Sequence, residues 1–461
     1  MKRSFLKRIS FLTLTLFVAA ALFAGGGQEA AEDTRTETVV VRALWQEIDP
    51  PSVSFIYNLE KQFEEENPGI DVSLEFISPN NVSTKVTSVI AAGGGLEMAN
   101  LDGATSGRLA GAGRLYPSDS IIEALEGDEF FPSTLLRSEG TYYGVPFVGE
   151  SFVLWYRKDL LEEAGIDPPE TWDDWLAAAE ALTVDKDGDG NIDQYGMVLP
   201  ASEHVSTAIW FEHFLALNGK NIFDRDLDVN LVSPRTREAL EFYTELAQYA
   251  PPQISSWQFF EMIDAFTTGQ VAMTMYTGRV LSRIYQGAPD LIGKVGAVTL
   301  PYNRMRAYHQ GVSYNVVFES ARDPEAASKW VEFMTRPENA APFFLTVPGH
   351  LVPVTRAQQE YLLTQDNQII SENPEIVETL FDVLEYGIND IVNGVAINEE
   401  DLTIEETGIF NPYWGVQRST LALPRAIQAI LYNGESADRA MRRAAQEIED
   451  AVEEARRTID Q

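Results

Sequence analysis

The order of the first three segments restricts this chain most. "TVVVRALW" (38–45) is a β-branched apolar run of the kind that forms a buried strand. "PPSVSFIYNLEKQFEEENPG" follows with helical spacing and stops at Asn67-Pro68-Gly69. "IDVSLEFI" (70–77) then alternates as a second strand. Strand, crossover helix and strand form a βαβ unit, which needs a parallel sheet covered by helices. The expected fold class is α/β. "LEMANL", "QYGMVLP", "VAMTMYTG" and "GKVGAVTLP" add further strands, and "PEAASKWVEFMTRPENAAPFFLTV" reads as a helical pair. Thr171 with Asp174 forms a capping box that opens another helix.

The N-terminus bears on the compartment. Lys2, Arg3, Lys7 and Arg8 precede an apolar run from Ile9 to Ala24, and small residues follow. This reads as a secretory signal cleaved near Ala24, since the run is shorter than the ~20 residues of a spanning helix. Residues 25–37 read as a disordered leader, and no later run is long enough to span a bilayer. The remainder suffices for two or three domains. The chain has no cysteine, so neither a disulfide nor a cysteine-linked lipid is available. Its net charge of −36 disfavours nucleic acid, anionic lipid and anionic ligands at long range. Aromatic residues at 11% are too many for a disordered acidic chain. The expectation is a folded, exported protein.

Motifs for covalent chemistry are missing. His204, His213, His309 and His350 are widely spaced and form no HExxH, and no GxSxG, P-loop or GxGxxG occurs. An enzyme is not expected. A carboxylate pair for glycoside hydrolysis needs only to meet in space, so a cleft glycoside hydrolase stands as the alternative from another class. The stretch "DKDGDGNIDQYG" places Asp185, Asp187, Asp189, Asn191 and Asp193 at calcium-loop spacing, with Gly190 at the sixth position. Gly196 stands where a calcium loop has its bidentate Glu, and the loop joins a helix to a strand. Either a weakly held structural calcium or a plain polar turn fits. No cofactor is required.

Six blocks in order carry a family resemblance. They are "FEEENPGIDVSLEF", "LEMANLDGATSGRLAGAGRLYP", "YYGVPFVGESFVLWYRKDLLEEAGIDPPETWDDW", "AFTTGQVAMTMYTG", "KVGAVTLP" and "KWVEFMTRPENAAPFFLTVPGHLVPV". Together they resemble the extracellular solute-binding proteins of ABC importers, in the sugar-binding group that includes maltose-binding protein. Two departures stand out: Leu96-Glu97 replaces the usual Pro-Asp, and the lipid-modified cysteine is missing. The resemblance implies two α/β lobes around a hinge and ligand cleft. Lobe one would hold 38–148 plus 300–350, and lobe two 149–299 plus 351–461. It further implies a monomer outside the cytoplasm that passes a mono- or oligosaccharide to the permease subunits of an importer. A polyol, glycerol phosphate or opine is the nearer alternative.

The resemblance also nominates ligand-binding residues. Glu150 matches the family's cleft glutamate at the first crossover, and Trp45, Gln46 and Glu47 its first binding loop. Asp102, Ala104, Thr105 and Ser106 occupy the second loop. Tyr276, Gly278 and Arg279 follow the strand "VAMTM", where the family commonly places an aromatic residue. Trp414 matches the C-terminal stacking position, and Glu203, His204 and Trp257 are weaker nominees. Trp172, Trp175 and Trp330 lie on amphipathic helices and are expected in the core.

Overall fold

A computed structural model describes residues 38–138, 140–388 and 394–459. The proposed signal (1–24) and leader (25–37) lie outside the described residues.

The opening βαβ unit forms as the pattern predicts. Strand Val39–Trp45 pairs in parallel with Ile70–Phe76 on one side and Met98–Asp102 on the other. Helix Pro50–Glu66 connects the first two strands. It begins on two prolines, and its end is closed by Asn67, whose Nδ2 donates to Phe63 O at 2.9 Å. Alternation sorts the first strand between two cores. Val41, Ala43 and Trp45 meet Ile56, Leu59 and Phe63, while Leu44 meets Val82 and Val86 on the opposite face.

Two returning strands complete the first sheet, in the order Ile70–Phe76, Val39–Trp45, Met98–Asp102, Gly311–Val317, Val145–Glu150. The last two join antiparallel, with a register shift at Ser313/Tyr314. Only Ser151 separates Val145–Glu150 from Phe152–Arg157, the first strand of the second sheet. That sheet runs Val295–Thr299, Phe152–Arg157, Val271–Thr277, Tyr195–Val198. The capping box forms: Asp174 N donates to Thr171 Oγ1 at 3.2 Å and Thr171 N to Asp174 Oδ2 at 3.1 Å. Trp172, Trp175 and Trp330 are core residues as expected.

The expected lobe boundaries need correction at two crossings. Met305 and Ala307 pack with Ala216 of the second lobe, so the return to the first lobe falls near Gly311 rather than at 300. Residues 351–363 remain with the first lobe. Helix Arg356–Leu363 packs on Pro337–Phe344, Val354 and Leu362 join the first core, and Gln358 Nε2 donates to Thr335 O at 2.7 Å. The chain rejoins the second lobe with helix Pro374–Glu385, which lies on strands Val295–Thr299 and Phe152–Arg157. The expected boundary missed this because a helical pattern does not say which sheet it covers.

Candidate functional site

A cavity of about 410 Å³ lies where the two sheets converge, walled by both lobes. Its first wall is built from strand ends. Trp45, Gln46 and Glu47 follow from Val39–Trp45, Asn100 and Asp102 come from Met98–Asp102, and Glu150 ends Val145–Glu150. Carboxyl ends of parallel strands are where α/β sheets place ligands, because the connecting loops diverge there. Ser313 lines the cavity from strand Gly311–Val317, and His309 and Gln310 from the residues just before it. The second lobe supplies Phe152, His213, Phe259, Arg279 and Arg418, and the connecting segment supplies His350.

The expected residues divide. Glu150 lines the cavity, with His350 Nε2 3.8 Å from its carboxyl. The side chain remains 45% exposed. Its pKa is nevertheless raised, because the surrounding protein disfavours the charge more than Arg279 and Arg418 favour it. Gly311 makes room: a Cβ there would sit 3.0 Å from Glu150 Oε2. Burial raises Glu47 also, although its Oε1 accepts from Ile48 N at 2.7 Å and Asp49 N at 2.8 Å. Asp102 both lines the cavity and caps a helix, accepting from Thr105 N at 2.9 Å and Thr105 Oγ1 at 2.7 Å. Ala104 lines beside it. Trp45 is a wall fixed by packing: it is 1% exposed and meets Phe147 edge-on at 5.5 Å. Arg279 lines the cavity and reaches across the lobes to Asp49 at 3.7 Å.

The other nominees do not line the cavity, and each has a local reason. Thr105 and Ser106 are buried in the helix turn that Asp102 caps. Glu203 is drawn to the surface by Arg425 at 3.1 Å. His204 caps helix Val205–Leu217, its Nδ1 accepting from Ser206 N at 3.1 Å. Trp257 uses its carbonyl, which accepts from Ser202 Oγ at 2.6 Å. Tyr276 packs edge-on against Trp210 at 5.4 Å, and burial raises its hydroxyl well above the usual phenol range. At Gly278 two backbones nearly touch, since a Cβ would fall 1.8 Å from Gly349 O. Trp414, expected to stack on ligand, is only 1% exposed and packs between His309 and Phe223. It supports the wall from behind.

Sequence reasoning missed three histidines and Arg418. Burial pushes His213 and His309 down to about 3 and His350 well below its ordinary value, so all three rings are neutral near pH 7. Arg418 is clamped by fully buried Glu212: its Nε donates to Oε1 at 2.9 Å and its Nη2 to Oε2. Gln417 Nε2 adds a bond to Glu212 Oε1 at 2.8 Å. That pairing fixes the guanidinium in place and sets its charge against Glu212. Arg418 stands one helical turn beyond Trp414, which is the one local signal that existed. The histidines come from separate parts of the chain, and no spacing links them.

The Asp-rich loop lies elsewhere, between helix Trp172–Ala181 and strand Tyr195–Val198. Asp185, Asp187 and Asp193 bring carboxylate oxygens within 4.8 Å of one another. Beside them, Asn191 Nδ2 donates to Asp189 Oδ2 at 2.9 Å.

Family comparison decides what kind of cavity this is. The family described as bacterial extracellular solute-binding protein matches residues 49–341. The chain belongs to that family. YcjN of Escherichia coli K12, provisionally named an ABC transporter periplasmic-binding protein, is 27% identical over 376 residues, 80% of this chain and 84% of its own. An arabinooligosaccharide-binding protein of Halalkalibacterium halodurans is 26% identical over 70% of this chain and 73% of that one. The sugar-binding protein MalE from Xanthomonas citri superposes with a TM-score of 0.74 over 92% of this chain and all of that one, at 21% identity, a likeness of fold. This solute-binding protein thus has the two-lobed fold, with its cavity where the lobes meet. The family is one of transport proteins rather than enzymes. Among the described residues, no helix of the solute-binding protein is long and apolar enough to cross a membrane.

Proposed function

We propose that this protein captures a small neutral saccharide and hands it to the permease subunits of an ABC importer. The observation that carries the reading is the cavity's chemistry. Carboxylates (Glu47, Asp102, Glu150), amides (Gln46, Asn100, Gln310) and neutral imidazoles converge beside the rings of Phe152 and Phe259. Carboxylates and amides bond hydroxyls, and rings cover the apolar face of a pyranose. A volume of about 410 Å³ is near the lower end of ligand cavities (~300–1,000 Å³), which suits one or two sugar units. Glycerol phosphate suits it poorly, since both cavity arginines already face protein carboxylates.

The protein acts as a monomer outside the cytoplasm, exported by the N-terminal signal, with no cysteine for lipid attachment. It binds its sugar unchanged. The Asp-rich loop holds a structural calcium ion weakly, in the ~10⁻⁴–10⁻³ M range of extracellular modules. To test the reading, purified protein is titrated with D-glucose, D-mannitol, maltose and arabinotriose, and the recovered sugars are analysed. A raised melting temperature with glucose, maltose or arabinotriose, recovered intact, supports it, and a response to mannitol alone favours the polyol alternative. Turnover of any sugar overturns it in favour of a hydrolase.

A further inference from the structure

The cavity contains a hydrogen-bond acceptor that the protein leaves unused. His213 lies on helix Val205–Leu217, a helix buried on nearly every side, and its ring is 1% exposed where it lines the cavity. Nδ1 lies 2.9 Å from Ile209 O, one turn back on the same helix. A carbonyl oxygen only accepts, so Nδ1 carries the proton. The neutral ring then bears a bare lone pair at Nε2. That atom has no hydrogen-bond partner among the described residues and is shut off from bulk water. Because Nδ1 faces the helix backbone, Nε2 lies toward the far edge of the ring. Phe152 and His309, both cavity residues, pack against the ring at 4.7 and 6.0 Å. Buried polar groups are rarely left unmatched, and one in a binding cavity is most simply matched by ligand.

We propose that His213 is a specificity residue of the second lobe, with Nε2 accepting a hydrogen bond from one hydroxyl of the bound saccharide. This rests on the saccharide reading above. Nε2 is closed off in this arrangement, so lobe opening exposes it and reclosure leaves the hydroxyl there in place of water. The arrangement selects for a hydroxyl and against its absence. A site built to bond a hydroxyl rejects the analogue lacking it far more strongly than an apolar pocket rejects a change in size.

Three measurements on the full chain test the proposal. Imidazole ¹⁵N NMR of the ligand-free protein at pH 7 should find His213 protonated at Nδ1 and bare at Nε2; a ring protonated at Nε2 overturns it. Next, wild type, His213→Phe and His213→Gln are titrated with the tightest binder among glucose, mannitol, maltose and arabinotriose. His213→Phe keeps the ring but lacks the acceptor, and should weaken binding about ten- to a hundredfold. His213→Gln, whose amide oxygen reaches toward the same point, should recover part of that loss even if the Phe variant folds poorly. Last, among monodeoxy forms of that sugar, one should bind wild type weakly and lose nothing further in His213→Phe. Equal binding by wild type and His213→Phe, or an equal loss across all monodeoxy sugars, overturns the proposal. If wild type binds none of the four, the saccharide reading fails instead, and the tautomer measurement alone judges His213.

Discussion

Carboxylates gather in two regions of this protein, and Glu150 of the cavity behaves oppositely to the aspartates of the Asp-rich loop. In the Asp-rich loop they are consumed locally. Asp185 accepts from Gly188 N at 2.7 Å and Gly190 N at 2.8 Å, Asp189 from Asn191 N at 2.8 Å, and Asp193 from Lys186 N at 2.7 Å. Those bonds hold Asp185 and Asp189 below the usual carboxylate range. In the cavity, Glu150 accepts no hydrogen bond from the described residues, and burial raises its pKa. The loop's carboxylates are tied to their own backbone, whereas Glu150, brought to the cavity by a strand end, keeps bonding capacity for something else.

The largest effect should come from behind the cavity wall. Trp414→Ala removes a fully buried ring and should cost ~3–5 kcal/mol of stability, measured by denaturant unfolding. The variant should still bind sugar in the cold. Weak binding by a stable variant would return Trp414 to the site and move the edge of the cavity in this comparison.

Next comes the comparison itself. Glu150→Gln should weaken sugar binding by ~1.5–3 kcal/mol, the worth of a hydrogen bond to a charged group. Asp187→Asn with Asp189→Asn should leave the dissociation constant unchanged. Equal losses in the two variants would erase the distinction.

Calcium tests the loop alone. At ten times its dissociation constant, a bound ion should stabilise the fold by about 1.4 kcal/mol. The effect should vanish in the Asp187/Asp189 variant and leave sugar affinity untouched.

The smallest effect is in the pH profile. Glu150 has a raised folded pKa, so its contribution is present below the ordinary carboxylate range and lost as pH rises through the folded value. Asp185 and Asp189 have lowered values, so theirs is present above that range and lost as pH falls. Glu150→Gln should flatten the decline in melting temperature toward neutral pH. Asp185→Asn with Asp189→Asn should flatten the acid limb. Opposite slopes are the signature, and slopes of one sign would contradict it.

What the sequence disclosed follows the same division between local and distant. The βαβ unit, the capping box and the acidic turn each depend on neighbours within a few residues, and each could be read directly. Glu150 and Trp45 were nominated by the family resemblance, and both line the cavity at strand ends. Trp414 could not, because a tryptophan on a short helix looks alike whether it stacks on ligand or on His309. His213, His309 and His350 meet only when both lobes are folded, so no window of sequence holds them together. Residues 351–363 went astray for a related reason, since amphipathic spacing shows that a helix is covered without naming the covering sheet.

If the interlobe cavity binds a saccharide through capacity that Glu150 keeps unspent, removing that carboxylate must weaken binding without harming the fold. Isothermal titration of wild type and Glu150→Gln at pH 7, with glucose, mannitol, maltose and arabinotriose, tests it most directly. The expected result is one-to-one binding of glucose, maltose or arabinotriose by wild type, intact sugar on recovery, and binding at least tenfold weaker in a Glu150→Gln variant that melts no earlier. No binding by wild type, or equal affinity in the two proteins, would contradict it.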